Sequence, residues 1–192
     1  MSDRESPAQP QAVALFAMKL FLVSLTILFV ASLIVYLTAR VRAAAWPPPG
    51  MPRLPAGLWA STVALLLSSA AVEWARRGIR AGRQGALQGG MALAAFLGLA
   101  FLALQIMNWV VLTRGQMAVG SNLYSLSFYL LTGLHAAHVV GGLIPLCVVA
   151  ARSFGGAYSA ESHLGVRLIA IYWHFLDIVW LVLFFGVFVV GY

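Results

Sequence analysis

Charged residues are scarce in this sequence. They make up 9% of its 192 residues, and aspartate and glutamate together number five. A soluble domain is about a quarter charged, so this chain cannot coat a water-facing surface of its size. Cysteine is rarer still: Cys147 stands alone, which excludes a disulfide within the chain. It lies in an apolar run and reads as a small buried hydrophobe. The sequence also lacks a P-loop, a G-x-S-x-G elbow and a C-x-x-C pair, so the usual nucleotide, hydrolase and thiol-redox signatures are missing. There is no repeat of fixed period. An odd number of spans does not divide into the matching halves of an inverted-repeat transporter.

What is abundant is apolar surface. The chain is 62% hydrophobic with a mean hydropathy of +0.93. The apolar residues fall into five runs, at 13–39, 57–75, 88–112, 123–151 and 164–191, each near or above the ~20 residues that cross a bilayer as a helix. They predict an all-α, polytopic membrane bundle of five transmembrane helices forming a single domain. Residues 1–12 are polar and proline-containing and read as a disordered cytoplasmic leader. The first run is too long for a signal-peptide core and has no convincing small-residue cleavage site, so it reads as a retained helix. The triplet Pro47, Pro48, Pro49 cannot continue a helix and separates the first two runs.

The net charge is +7, but the basic residues form no stripe of the kind that tracks nucleic acid. They cluster between the apolar runs. With the N-terminus inside, Arg4, Arg76, Arg77, Arg80, Arg83, Arg152 and Arg167 share the cytoplasmic side, against Arg40, Arg42, Arg53 and Arg114 outside. That bias predicts a cytoplasmic N-terminus and an external C-terminus. Trp46, Trp59, Trp74 and Tyr192 fall near span ends, where amphipathic rings favour the headgroup layer.

Polar groups inside a membrane are costly and each needs a partner or a purpose. His135 and His138, three apart, share one face of the fourth span. His174 and Asp177 repeat that spacing in the fifth, Gln105 and Asn108 lie in the third, and Glu73 sits near the end of the second beside the arginine cluster. Two readings fit. One is a metal or haem site using His135, His138 and His174. The other is a polar network that ties helices together. A di-iron bundle needs about four glutamates, and bulky Trp173, Phe175 and Trp180 crowd any haem slot, so the residues favour the network.

Four strings carry a resemblance. TGLHAAHVVGG at Thr132–Gly142 and YWHFLDIVWLVLF at Tyr172–Phe184 resemble the last two helices of subunit III of the haem-copper (cytochrome c) oxidases. The join between them, with Arg152, His163 and Gly165, has that family's look. LQIMNWVV at Leu104–Val111, with Gln105, and FAMKLFLVSLTILF at Phe16–Phe29 are similar to its earlier helices. The overall pattern resembles the short bacterial five-helix form, which lacks the first two helices of the seven-helix mitochondrial one.

The resemblance implies a non-catalytic subunit in the bacterial inner membrane. It implies contact with subunits I and II, lipids held between helix groups, and support of proton uptake by a complex that reduces oxygen to water. It implies no cofactor in this chain, with haem and copper in the partner subunits. It places His135, His138, His174 and Asp177 in a packing network and Arg152 at a lipid headgroup, where a guanidinium meets phosphate. The chain departs from the pattern at Leu25, where the family usually has a carboxylate after the serine, at Asn108, and at Arg167, where a glutamate is common. Relatives also serve quinol oxidases and nitric oxide reductase systems, and the sequence leaves the electron donor open. A small transporter is the remaining alternative, without the broken helices or charged mid-membrane pathway it requires.

Overall fold

The computed structural model describes residues 8–52, 55–115 and 117–189. The helices are α1 (Ala8–Arg42), α2 (Gly57–Arg80), α3 (Gln84–Arg114), α4 (Leu123–Phe154) and α5 (Leu164–Leu183), and α5 runs on into a π-helical turn, Phe184–Val189. No strand occurs among the described residues. All five helices are long and apolar enough to cross a membrane, as expected, and the protein is a multi-pass membrane protein.

The helices outrun the apolar stretches that betray them. The sequence places the second span over 57–75, yet α2 continues to Arg80. The third is placed over 88–112, yet α3 fills 84–114. The fourth is placed at 123–151 and α4 reaches Phe154. α1 likewise takes in residues 8–12, assigned from the sequence to the leader. Hydropathy marks the hydrocarbon slab, whereas a helix continues into the headgroup layer, where long arginine side chains reach water. In the fifth span the regular α-helix stops at Leu183, and the π turn follows. Arg4, Arg53, Tyr192 and residues 1–7 of the leader lie outside the described residues.

Helices α2 to α5 close a ring: α2 packs on α3, α3 on α4, α4 on α5 and α5 back on α2. Trp173, Trp180, Phe101, Phe128, Met91 and Leu65 fill its middle. Helix α1 stands outside the ring and touches it at α4 and α5, inserting Leu25, Phe29 and Tyr36 while Phe16, Ile27 and Ile34 stay exposed. An apolar exterior of this kind suits lipid or other membrane subunits.

Two local devices set the ring. The α2–α3 turn closes with the Arg83 amide donating to the Gly78 carbonyl at 2.9 Å and that of Gly82 to Ile79 at 2.9 Å. This is a Schellman-type cap that needs the positive φ (+70°) of Gly82. Next, Gly90 of α3 lies so close to α2 that a Cβ there would come within 2.7 Å of Ala75 Cβ and 2.8 Å of the Ala71 carbonyl. Small residues let these backbones meet, as is usual between membrane helices. Helix α4 starts at Asn122, whose side-chain oxygen accepts from the Ser125 amide at 2.8 Å.

One expectation is overturned. Cys147 is exposed on the outside of α4. An apolar sequence neighbourhood marks the interior in a soluble protein, but here it also marks the lipid-facing surface.

Candidate functional site

The string Tyr172–Phe184 forms α5 and its continuation, and its polar groups turn mostly toward α2. Trp173 Nε1 donates to Ser68 Oγ at 3.0 Å, and that hydroxyl donates on to the Ala94 carbonyl of α3 at 2.8 Å. One heptad along, Trp180 Nε1 donates to Thr62 Oγ1 at 2.9 Å. His174 Nδ1 shares a 2.6 Å hydrogen bond with Ser69 Oγ, and its Nε2 lies 3.7 Å from Glu73 Oε2. As the numbers rise along α2 they fall along α5, so the seam pairs antiparallel helices in register. Thr62, Ser68 and Ser69 form its α2 half.

Glu73 is the ionic end of this seam. Arg76 Nε and Nη2 hold its two carboxylate oxygens at 2.7 and 2.8 Å, and Arg77 Nε adds a third contact at 2.7 Å. The carboxylate is thus neutralised by its own helix. A serine, a histidine and a glutamate are strung together here as in a proton relay. The acid is committed to two guanidiniums, however, and the hydroxyl bonds the imidazole across a packed helix interface.

The α4 histidines sit elsewhere. His138 Nδ1 donates to the Leu134 carbonyl of its own helix at 2.7 Å, its ring rests 5.2 Å from Phe29 of α1, and its backbone carbonyl accepts from Tyr172 Oη at 3.0 Å. His135 is fully buried and neither ring nitrogen has a partner. Its ring centre lies 5.0 Å from that of Trp180, tilted by 33°, and 5.8 Å from that of Phe101, edge to face, with Phe29 at 6.4 Å. Asp177 is 7% exposed, its Oδ1 is unpartnered, and Ser69 is its polar neighbour. The four residues singled out from the sequence therefore divide into separate groups: His174 and Asp177 against α2, His138 against α1 and α5, and His135 in an aromatic box. Among the described residues, no three His, Cys, Asp or Glu side chains gather as a metal site would require.

Of the other polar residues, Gln105 and Asn108 are buried in α3 with unpartnered side-chain nitrogens. Leu25 is 7% exposed and points into the core, so a carboxylate there would be buried too. Ser24 bonds back to Leu20 of its own helix. Arg152 is exposed at the end of α4.

A sequence model of the family described as cytochrome c oxidase subunit III matches residues 9–192. The chain belongs to the cytochrome c oxidase subunit III family. Cytochrome c oxidase subunit 3 of Synechocystis sp. is 37% identical over 172 residues, covering 88% of this chain and 72% of that protein. Subunit 3 of the liverwort Marchantia polymorpha is 35% identical over 147 residues, 76% of this chain. That of the carp Cyprinus carpio is 36% identical over 146 residues, 74% of this chain. The chain spans about half the length of these last two relatives, 54% in each case. The subunit III family match takes in all five helices, including the seam and both histidine pairs.

The sequence marked His174 but not its partners. Ser68, Ser69 and Thr62 are not among the polar residues that the sequence singles out. The signal that finds them is the heptad that separates Trp173 from Trp180, which demands acceptors at a matching spacing on a neighbouring helix.

Proposed function

We propose that this chain works as the non-catalytic subunit III of a haem-copper terminal oxidase. In this reading it packs through the bilayer against the catalytic subunit I and near subunit II, and haem and copper reside in those partners. It stabilises subunit I, holds lipids and supports proton uptake while the complex reduces oxygen to water. Its setting is the bacterial inner membrane, N-terminus cytoplasmic and C-terminus outside, with Arg152 at a lipid headgroup.

The observation that carries the proposal is how the seam uses its polar groups. Trp173, Trp180 and His174 spend their nitrogens on α2 hydroxyls, which is the work of a packing scaffold. His135, closed in by Phe29, Phe101 and Trp180, has no free face for a macrocycle. The largely unburied α1 and the apolar exterior support a role beside other membrane subunits. The positive side holds Arg76, Arg77, Arg80, Arg83, Arg152 and Arg167, against Arg40, Arg42 and Arg114 among the described residues opposite, which supports the orientation.

Purification of the tagged chain in mild detergent tests the proposal. Copurification of a haem-bearing catalytic subunit is the expected result. A partner with a dinuclear copper motif identifies the cytochrome c form, and its absence beside a haem-bearing partner identifies a quinol oxidase or nitric oxide reductase system. Recovery of the chain without any haem-bearing partner contradicts it.

A further inference from the structure

Arg76 and Arg80, one turn apart near the end of α2, face His163 and Arg167 at the start of α5 around an opening of about 350 Å³. These four side chains line it, and none of them is acidic. The larger grooves of the molecule, by contrast, are lined mainly by apolar residues such as Phe21, Pro145 and Tyr172. The carboxylate nearest in the chain, Glu73, is shared between Arg76 and Arg77. Glu161 acts on His163 from the adjoining loop but is itself engaged by the Ser159 hydroxyl. Neither Arg80 nor Arg167 has a carboxylate partner among the described residues. His163 Nδ1 donates to the Ser159 carbonyl at 3.2 Å.

A guanidinium stays charged at any physiological pH. Arg76 already holds Glu73, but Arg80 and Arg167 bring two further guanidiniums to the same opening, and an anion between them relieves their mutual repulsion. The start of α5 adds to the field: its first amides have no helical acceptor, and His163 supplies no side-chain cap. Guanidinium forks match the oxygens of a phosphoryl group, which take paired N–H donors. The opening also lies at the membrane end of the bundle where Arg83 and Arg152 gather, at the level of lipid headgroups.

We propose that the opening bounded by Arg76, Arg80, His163 and Arg167 is a binding site for a phosphoryl anion, either the phosphodiester of an anionic lipid headgroup or free phosphate. It is separate from Arg152, which does not line it.

The test uses the full chain, purified and stripped of lipid. It is titrated with phosphatidylglycerol, with phosphatidylcholine and with inorganic phosphate, and bound species are counted by native mass spectrometry. R80Q/R167Q is compared with wild type and with R42Q/R114Q, which removes the same charge from the opposite end of the bundle. The site predicts binding about tenfold weaker in R80Q/R167Q and unchanged in R42Q/R114Q. Weakening confined to phosphatidylglycerol assigns the site to a lipid headgroup, and weakening confined to inorganic phosphate assigns it to the free anion. If R80Q/R167Q does not fold, R167Q alone carries the comparison with the same readings. Equal binding by all variants, equal loss in both double variants, or no preference of wild type for phosphatidylglycerol or phosphate overturns the proposal.

Discussion

His174 Nδ1 and Ser69 Oγ lie 2.6 Å apart and join α5 to α2. This bond makes His174 part of a helix seam. In membrane proteins such an interhelical bond contributes about 1 kcal/mol, so its value lies in fixing register. His174→Leu should therefore let the subunit dissociate from its complex more readily in detergent, while oxygen turnover starts near normal. Subunit retention and initial rate, measured on one preparation, check this. Immediate loss of turnover in a fully assembled complex would count against it.

The same bond predicts coupling. Ser69→Ala and His174→Leu each remove one partner, so the double variant should cost less than the sum of the singles, with an interaction energy of about 0.5–1 kcal/mol. Denaturation midpoints of the four proteins close the cycle. Strict additivity would mean that the contact carries no energy.

His135 should behave in the opposite way. A buried imidazole with neither nitrogen bonded bears a desolvation cost of about 1–3 kcal/mol, and its contacts with Trp180, Phe101 and Phe29 are those of a ring in an apolar box. His135→Phe should leave stability unchanged or raise it. A loss of more than about 2 kcal/mol, the mark of breaking a satisfied buried polar group, would reveal a partner for His135.

Gly90 and Gly133 make a paired control. A Cβ at Gly90 meets α2 at under 3 Å, whereas one at Gly133 meets nothing within 4 Å. Gly90→Ala should destabilise by about 1–3 kcal/mol through overpacking. Gly133→Ala, at a helix position, should be neutral or stabilising by up to about 1 kcal/mol. Thermal midpoints in detergent separate the two. Similar effects for both would remove the close α2–α3 approach from the account.

The five spans were legible because a bilayer demands some twenty apolar residues per crossing, and no soluble fold imitates five such runs. Their ends were not legible, because Arg76, Arg77 and Arg80 stay helical after hydropathy has fallen. The i, i+3 spacing placed His135 with His138 and His174 with Asp177 on common faces. Spacing along one helix carries no information about what stands opposite, so the pairing of Trp173, Trp180 and His174 with the α2 hydroxyls, and the approach of His174 to Glu73, emerged only from the tertiary packing. Cys147 fails for a related reason: lipid is as apolar as a core, so sequence polarity cannot tell an inward face from an outward one.

The most direct test of the central claim, that His174 ties α5 to α2 and that the histidines of α4 and α5 do no electron chemistry, is an optical spectrum and metal analysis of the chain separated from every partner. The account predicts a colourless protein without stoichiometric metal, its haem signal having departed with the partner subunits. A Soret band or one bound metal per chain in that preparation would contradict it.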